Sequence, residues 1–286
     1  MRTLLIGGTG TVGREVAQQL AELGEDVIIM SRKTGSWHPE DTQTVRADLD
    51  QPASVRAAMR HVDRVFLLLA QNPNEAAQGL AAVAAARDAR VSKIVYMSVR
   101  MPPFGLAVPH FAAKARVEQS VRESGLPFTI LRPNNFFQND LAFADVITQF
   151  GVYPQPIGSK GLARVDVRDV ADAATIALTG PEHDGQAYDL NGPDLLTGDD
   201  IAAIYETHLG APIRYAGDSL DTWASVVGSV LPEWLVHDLR IMYEKFQEYG
   251  LPSTPRADER LRRLLGRDPR AFSAFVAESF AVAALR

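Results

Sequence analysis

Through its first half the chain alternates short, continuous apolar runs with longer segments in which apolar residues recur every three or four positions. The short runs are Leu4–Ile6, Val27–Met30, Thr44–Arg46, Val65–Leu69, Ile94–Met97 and Phe128–Leu131. Most are rich in Val, Ile and Leu with little polar alternation, which predicts strands buried on both faces. The longer segments, Val12–Leu23, Pro52–Arg60, Asn74–Ala89 and Phe111–Ser124, carry an apolar stripe at helical spacing. Gly24 and Gly125 stand where helices end in a left-handed residue. Strand and helix in alternation predict the α/β class, a doubly wound parallel sheet covered by helices on both faces.

After Pro133 the regularity changes. Asn139–Phe150 predicts a helix, whereas residues 151–158 (GVYPQPIG) hold too many breakers for either element and predict turns around short strands. Asp169–Gly180 predicts a helix, Ala187–Leu190 a strand, and Thr197–Gly210 a helix capped by Thr197. Helical patterns at Glu233–Tyr249, Asp258–Leu265 and Pro269–Ala283 follow. Residues 1–133, with 167–190 returning to them, therefore form one domain, and 134–166 with 191–286 a smaller, mostly helical C-terminal lobe. Ligands of doubly wound sheets bind beyond the C-terminal ends of the strands, so the lobe is expected there as a substrate lobe.

Composition narrows the chemistry. The chain has 286 residues, 46% of them hydrophobic, enough for a large core. With no cysteine it has no disulfide framework, no thiolate chemistry and no cysteine-ligated metal, which fits a reducing compartment. Thr3–Ile6 runs into glycines as a strand into a turn, unlike a secretion signal, so the expected location is cytoplasmic. No stretch of 18 apolar residues suggests a membrane span. A net charge of −6 argues against a nucleic-acid partner. His38, His61, His183, His208 and His237 show no ligand spacing, so no metal is expected. The sequence leaves a homodimer open.

Residues 6–13 read Ile-Gly-Gly-Thr-Gly-Thr-Val-Gly between the first strand and the first helix. Gly8, Gly10 and Gly13 match G-x-G-x-x-G, and Gly7, Gly10 and Gly13 match G-x-x-G-x-x-G. Such a turn lets the backbone approach a pyrophosphate and leaves helix N–H groups, here from Thr9 and Thr11 to Gly13 with Val12 between, to hold the anion. This context predicts a Rossmann-type dinucleotide site. At the end of the second strand, where an NAD site carries an acid for the ribose hydroxyls, the chain has Ser31-Arg32-Lys33. An arginine there grips a 2′-phosphate bidentately, so the expected cofactor is NADP(H). Asp48 and Leu49 follow the third strand; Asp48 can face the adenine amino group or cap the helix near Pro52. Leu69, Ala70 and Gln71 end the fourth strand, and their backbone should pass the adenosine side.

With these features in place, the sequence resembles the NmrA-like group of atypical short-chain dehydrogenase/reductases. The resemblance rests on the glycine turn, on Val95-Tyr96-Met97-Ser98, and on Leu131-Arg132-Pro133-Asn134-Asn135-Phe136-Phe137. It extends to Val165-Asp166-Val167-Arg168-Asp169-Val170-Ala171 and Tyr188-Asp189-Leu190-Asn191-Gly192-Pro193. It implies an NADPH-dependent reductase of a small-molecule carbonyl, quinone or activated double bond, or a regulator that binds the cofactor without turning it over. A redox-neutral isomerase is a third reading. Standard members place a tyrosine four residues before a lysine; here the stretch is His110-Phe111-Ala112-Ala113-Lys114. Lys114 is implied as a ribose contact and His110, on the same helical face, as the proton donor. Alternatively His110 is a first-turn surface residue and Lys114 lies on a solvated face. Ser98, at the end of the fifth strand, is placed to touch cofactor or substrate, with no G-x-S-x-G around it. Pro133, Asn134 and Phe136 are implied beside the nicotinamide, Phe136 as a stacking ring or as plain core. Asp166 and Asp169 read as a polar lead-in and cap to the next helix, and Trp223, Trp234 and Tyr243 as packing residues.

Overall fold

A computed structural model of the chain describes residues 1–33 and 35–280. The chain divides into two compact units: Met1–Met101, Pro109–Pro133 and Val167–Asp189 form the first; Pro102–Val108, Asn134–Asp166 and the chain from Leu190 on form the second.

In the first unit β1 (Arg2–Ile6), α1 (Thr11–Glu22), β2 (Asp26–Ser31), β3 (Gln43–Arg46), α2 (Pro52–Ala58) and β4 (Arg64–Leu68) follow one another. They are succeeded by α3 (Glu75–Ala89), β5 (Lys93–Met97), α4 (Pro109–Glu123) and β6 (Phe128–Pro133). The sheet runs β3-β2-β1-β4-β5-β6 and then the strand Gln186–Leu190. Its first six strands are parallel, with Leu4 of β1 opposite Ile28 of β2 on one side and Val65 of β4 on the other. This is the doubly wound order the apolar runs predict.

One face of the sheet, with Leu4, Ile6, Val65, Leu67, Ile94 and Ile130, is buried against Val55 of α2, Ala82 and Ala86 of α3, and Val117 and Val121 of α4. Helix α1 packs instead on the helix Val167–Thr179. There the Gln19 side chain donates to Asp172 at 2.8 Å and accepts from Thr175 at 2.9 Å. Gly24 and Gly125 take the left-handed conformation expected past a helix end, with φ of 72° and 77°.

The second unit is built around a fully buried arginine. Arg164 bonds both Asp140 oxygens, at 3.0 and 2.8 Å, and donates to the Asn135 side chain at 3.0 Å and to the Phe136 carbonyl at 2.7 Å. Its guanidinium carbon lies 5.2 Å from the Phe272 ring centre. Beside this arginine the chain departs from expectation over 139–150. The segment Phe137–Phe143 is a 3₁₀ helix and only Ala144–Phe150 is α-helical; at its start the Phe136 carbonyl accepts from Asn139 N–H at 3.3 Å and from Arg164, which also anchors Asp140. Helix Leu220–Val227 has no counterpart among the expected elements; the Ser219 hydroxyl caps it by accepting from Thr222 N–H. Trp223 and Tyr243 pack edge to face at 5.1 Å. Trp234 stays 37% exposed, so it is not the packing residue expected. The expected helix Pro269–Ala283 is observed as Phe272–Phe280, and residues 281–283 lie outside the described residues. Among the described residues no helix is long and apolar enough to cross a membrane, and no cluster of His, Asp and Glu could hold a metal ion.

Candidate functional site

In the first unit the strand order reverses between β1 and β4, since the chain moves outward to β2 and β3 before crossing to β4. Such a switch point opens a crevice at the C-terminal strand ends. A cleft of about 730 Å3 lies there, lined from β1 and its turn by Gly7 and Thr9, and from β2 by Ser31, Arg32 and Lys33. Asp48 and Leu49 after β3, and Leu68, Ala70 and Gln71 at the end of β4, complete the wall.

The glycines have measurable reasons. Gly7 has φ of +82°, and a Cβ there would stand 2.6 Å from the Leu68 carbonyl oxygen. A Cβ on Gly13 would stand 2.1 Å from the Gly7 oxygen, so any other residue would force the turn off the helix. The turn is held by Gly10 N–H donating to the Gly7 carbonyl at 3.1 Å. Gly10 caps α1 without any side chain, and Thr11, Val12 and Gly13 begin the helix. The N–H groups of that first turn are thus the orphan donors of a helix N-terminus, a seat for an anion. A cradle that a Cβ would fill fits a dinucleotide pyrophosphate.

The other end of the cleft is basic. Arg32 and Lys33 are exposed and make no side-chain hydrogen bond or ion pair among the described residues. Asp48 does not cap α2, whose cap residue is Gln51. Its carboxylate instead accepts from Asp50 N–H at 3.1 Å, closing a local turn on the cleft wall. Leu69 is buried and packs near Gly79, while its neighbours Leu68 and Ala70 line the cleft.

Lys114 is not on a solvated face. Its side chain is 10% exposed and its ammonium bonds Glu75 Oε1 at 2.5 Å, Glu75 being 1% exposed. His110, in the first turn of α4, is half-buried with its ring edge-on to Phe111 at 4.6 Å. Ser98 is buried, and its hydroxyl has no hydrogen-bond partner among the described residues. Tyr96 lies on the same face of β5; burial, and then the negative charges of Glu75 and Glu118, push its phenol well above the ordinary value. Pro133 ends β6 buried. In the second unit the Asn134 side chain donates to Asn191 at 3.2 Å and to the Leu251 carbonyl at 2.9 Å, while Phe136 is half-buried. Arg14 and Trp37, which also line the cleft, and Glu75 went unread in the sequence. Arg14 had one signal, its place directly after Gly13; Glu75 had none, since its partner is 39 residues away.

The chain belongs to the NmrA-like family, whose model matches residues 2–276. It is 32% identical over 247 residues to a protein named NAD(P)H azoreductase from Xenophilus azovorans, covering 84% of this chain and 85% of the relative. It is 37% identical over 216 residues to (4-alkanoyl-5-oxo-2,5-dihydrofuran-3-yl)methyl phosphate reductase of Streptomyces griseus, covering 74% of this chain and 75% of the relative. In fold it is similar to an NADPH-dependent quinone oxidoreductase of Escherichia coli solved with NADPH, with a TM-score of 0.85 at 22% identity, over 98% of this chain and 100% of that one.

Proposed function

We propose that the chain is an NADP(H)-dependent reductase that delivers hydride to a carbonyl, quinone or activated double bond of a small, apolar or aromatic substrate. The observation that carries this reading is the cleft: a glycine cradle with open helix N–H groups at one end, and Arg32 and Lys33 without carboxylate partners at the other. An acid at the end of β2 would repel a 2′-phosphate; Ser31, Arg32 and Lys33 offer it donors. Reductases that use NAD(P)H among the relatives support the same chemistry.

NADPH bound in the cleft supplies the hydride. The chain's residues bind, orient and protonate. Gly7, Thr9, Gly10, Thr11, Val12 and Gly13 would hold the pyrophosphate, and Asp48, Leu49, Leu68 and Ala70 would border the adenosine, Leu69 being turned into the core. Glu75 bonds the Lys114 ammonium at 2.5 Å and would orient it as a donor to the nicotinamide ribose hydroxyls. His110, one helical turn before Lys114, would give its proton to the atom left with the electron pair when the hydride adds to the other end of the double bond, the oxygen in the case of a carbonyl. Ser98 and Pro133, at the ends of β5 and β6 in the first unit, are assigned to the reacting end.

The test is NADPH oxidation, followed by its absorbance, across a panel of quinones, azo dyes, enones and imines. Turnover of at least one class is expected, and His110→Ala should lower kcat by about a hundredfold with NADPH affinity unchanged. Tight NADPH binding with no turnover on any class would replace the reductase by a cofactor-sensing regulator.

A further inference from the structure

We propose that Arg14 and Trp37 form a second, preassembled half of the 2′-phosphate clamp, facing Arg32 across the adenosine end of the cleft. The inference rests on the reading of that cleft as an NADP(H) site.

The connection after β2 folds back on itself. The Ser31 and Ser36 hydroxyls lie 2.5 Å apart, Lys33 N–H donates to the Ser31 hydroxyl at 3.1 Å, and the Ser36 hydroxyl donates to the Lys33 carbonyl at 2.8 Å. This tight turn carries Trp37 to α1, where the Arg14 guanidinium carbon sits 4.7 Å from the indole centre. Arg14 Nε donates to the Thr9 carbonyl at 3.0 Å, a second restraint on the same planar group. The two Nη groups make no hydrogen bond or ion pair among the described residues. They belong to a side chain that lines the cleft with Arg32, Lys33 and Ser31.

Three features argue that this is a binding device. A cation in the first turn of a helix opposes the macrodipole, so Arg14 is placed at a local electrostatic cost that an anion would relieve. In a chain of net charge −6, Arg14, Arg32 and Lys33 share one cleft without a carboxylate partner. The nearby acids are engaged otherwise, Asp48 by Asp50 N–H and Asp50 by the Gln78 amide. Trp37 is 39% exposed, a large aromatic whose one evident task is to hold the arginine plane. Fixing the plane beforehand removes most of the ordering cost of a long side chain, and two free Nη groups suit two oxygens of a phosphate monoester. The glycine cradle already provides for the pyrophosphate, so the 2′-phosphate is the anion left to this clamp.

Affinities of NADPH and NADH, with adenosine 2′,5′-bisphosphate and adenosine 5′-monophosphate as probes of this end alone, test the proposal by calorimetry on the full chain. Arg14→Ala should weaken NADPH and the bisphosphate about tenfold or more and leave NADH and the monophosphate within about twofold. Trp37→Leu should weaken NADPH about threefold, and the double variant should be no worse than Arg14→Ala, because the indole acts through the arginine. Melting temperatures report whether each variant is folded. An unchanged NADPH to NADH ratio in Arg14→Ala, or equal weakening of both, overturns the clamp. If Arg32→Ala collapses the ratio in that case, the cofactor reading survives; if Arg32→Ala also leaves it untouched, both fall.

Discussion

Lys114 and Glu75 set the energetic stakes at the scale of single residues. Both are buried, and their bond satisfies an ammonium that would otherwise be stranded in the interior. Removing one partner of such a pair costs far more than the pair contributes, because the other charge stays buried. Glu75→Ala should therefore destabilise the protein by about 3 kcal/mol in urea unfolding. Glu75→Gln, which keeps a hydrogen-bond acceptor, should recover part of that loss. If both variants unfold at the wild-type midpoint, the pair is not structurally coupled as described. The place of Arg32 on the cleft wall was legible in the sequence because it sits at a fixed distance from the end of β2. Glu75 and the Trp37 contact of Arg14 were not, because each depends on which helix or loop the tertiary fold brings alongside.

The glycine turn and α1 act as one element. Gly13 allows the helix to start directly against the Gly7 carbonyl, with no room for a methyl group. Gly13→Ala should lower stability by about 1–3 kcal/mol and weaken NADPH and NADH alike, since the cradle serves both. That pattern differs from Arg14→Ala, which spares NADH, and weakening of NADPH alone in Gly13→Ala would contradict the assignment. Most elements of this unit were legible because short Val, Ile and Leu runs bounded by turn residues and alternating with helical patterns read as buried strands; β3, exposed along most of its length, owes its place to that alternation. The 3₁₀ start of segment 137–150 was not legible, because the Arg164 that anchors it through the Phe136 carbonyl and the Asp140 carboxylate comes later in the chain. Helix Leu220–Val227 escaped because its one strong signal, the Ser219 cap, stands among residues of mixed character.

Across the whole molecule, buried tyrosines set an alkaline limit. Burial raises the phenols of Tyr96 in the first unit and Tyr153, Tyr205 and Tyr243 in the second, with Asp140 adding to the rise in the second unit. Their folded values lie above the unfolded value of about 10, so the unfolded chain loses these protons first. Below that pH they leave stability unchanged; above it, stability falls as pH rises towards the folded values. Tyrosinate absorbance of these four should appear together with the loss of circular dichroism. Ionisation of all seven tyrosines with the dichroism intact would show that the buried ones are accessible.

The central claim, a cleft at the β1/β4 switch built for a 2′-phosphorylated dinucleotide, is tested most directly by calorimetric titration of the wild-type protein with NADPH and with NADH. Arg14, Arg32 and Lys33, which have no carboxylate partner among the described residues, predict NADPH binding tighter by about tenfold or more. Equal affinity for the two cofactors would contradict the account.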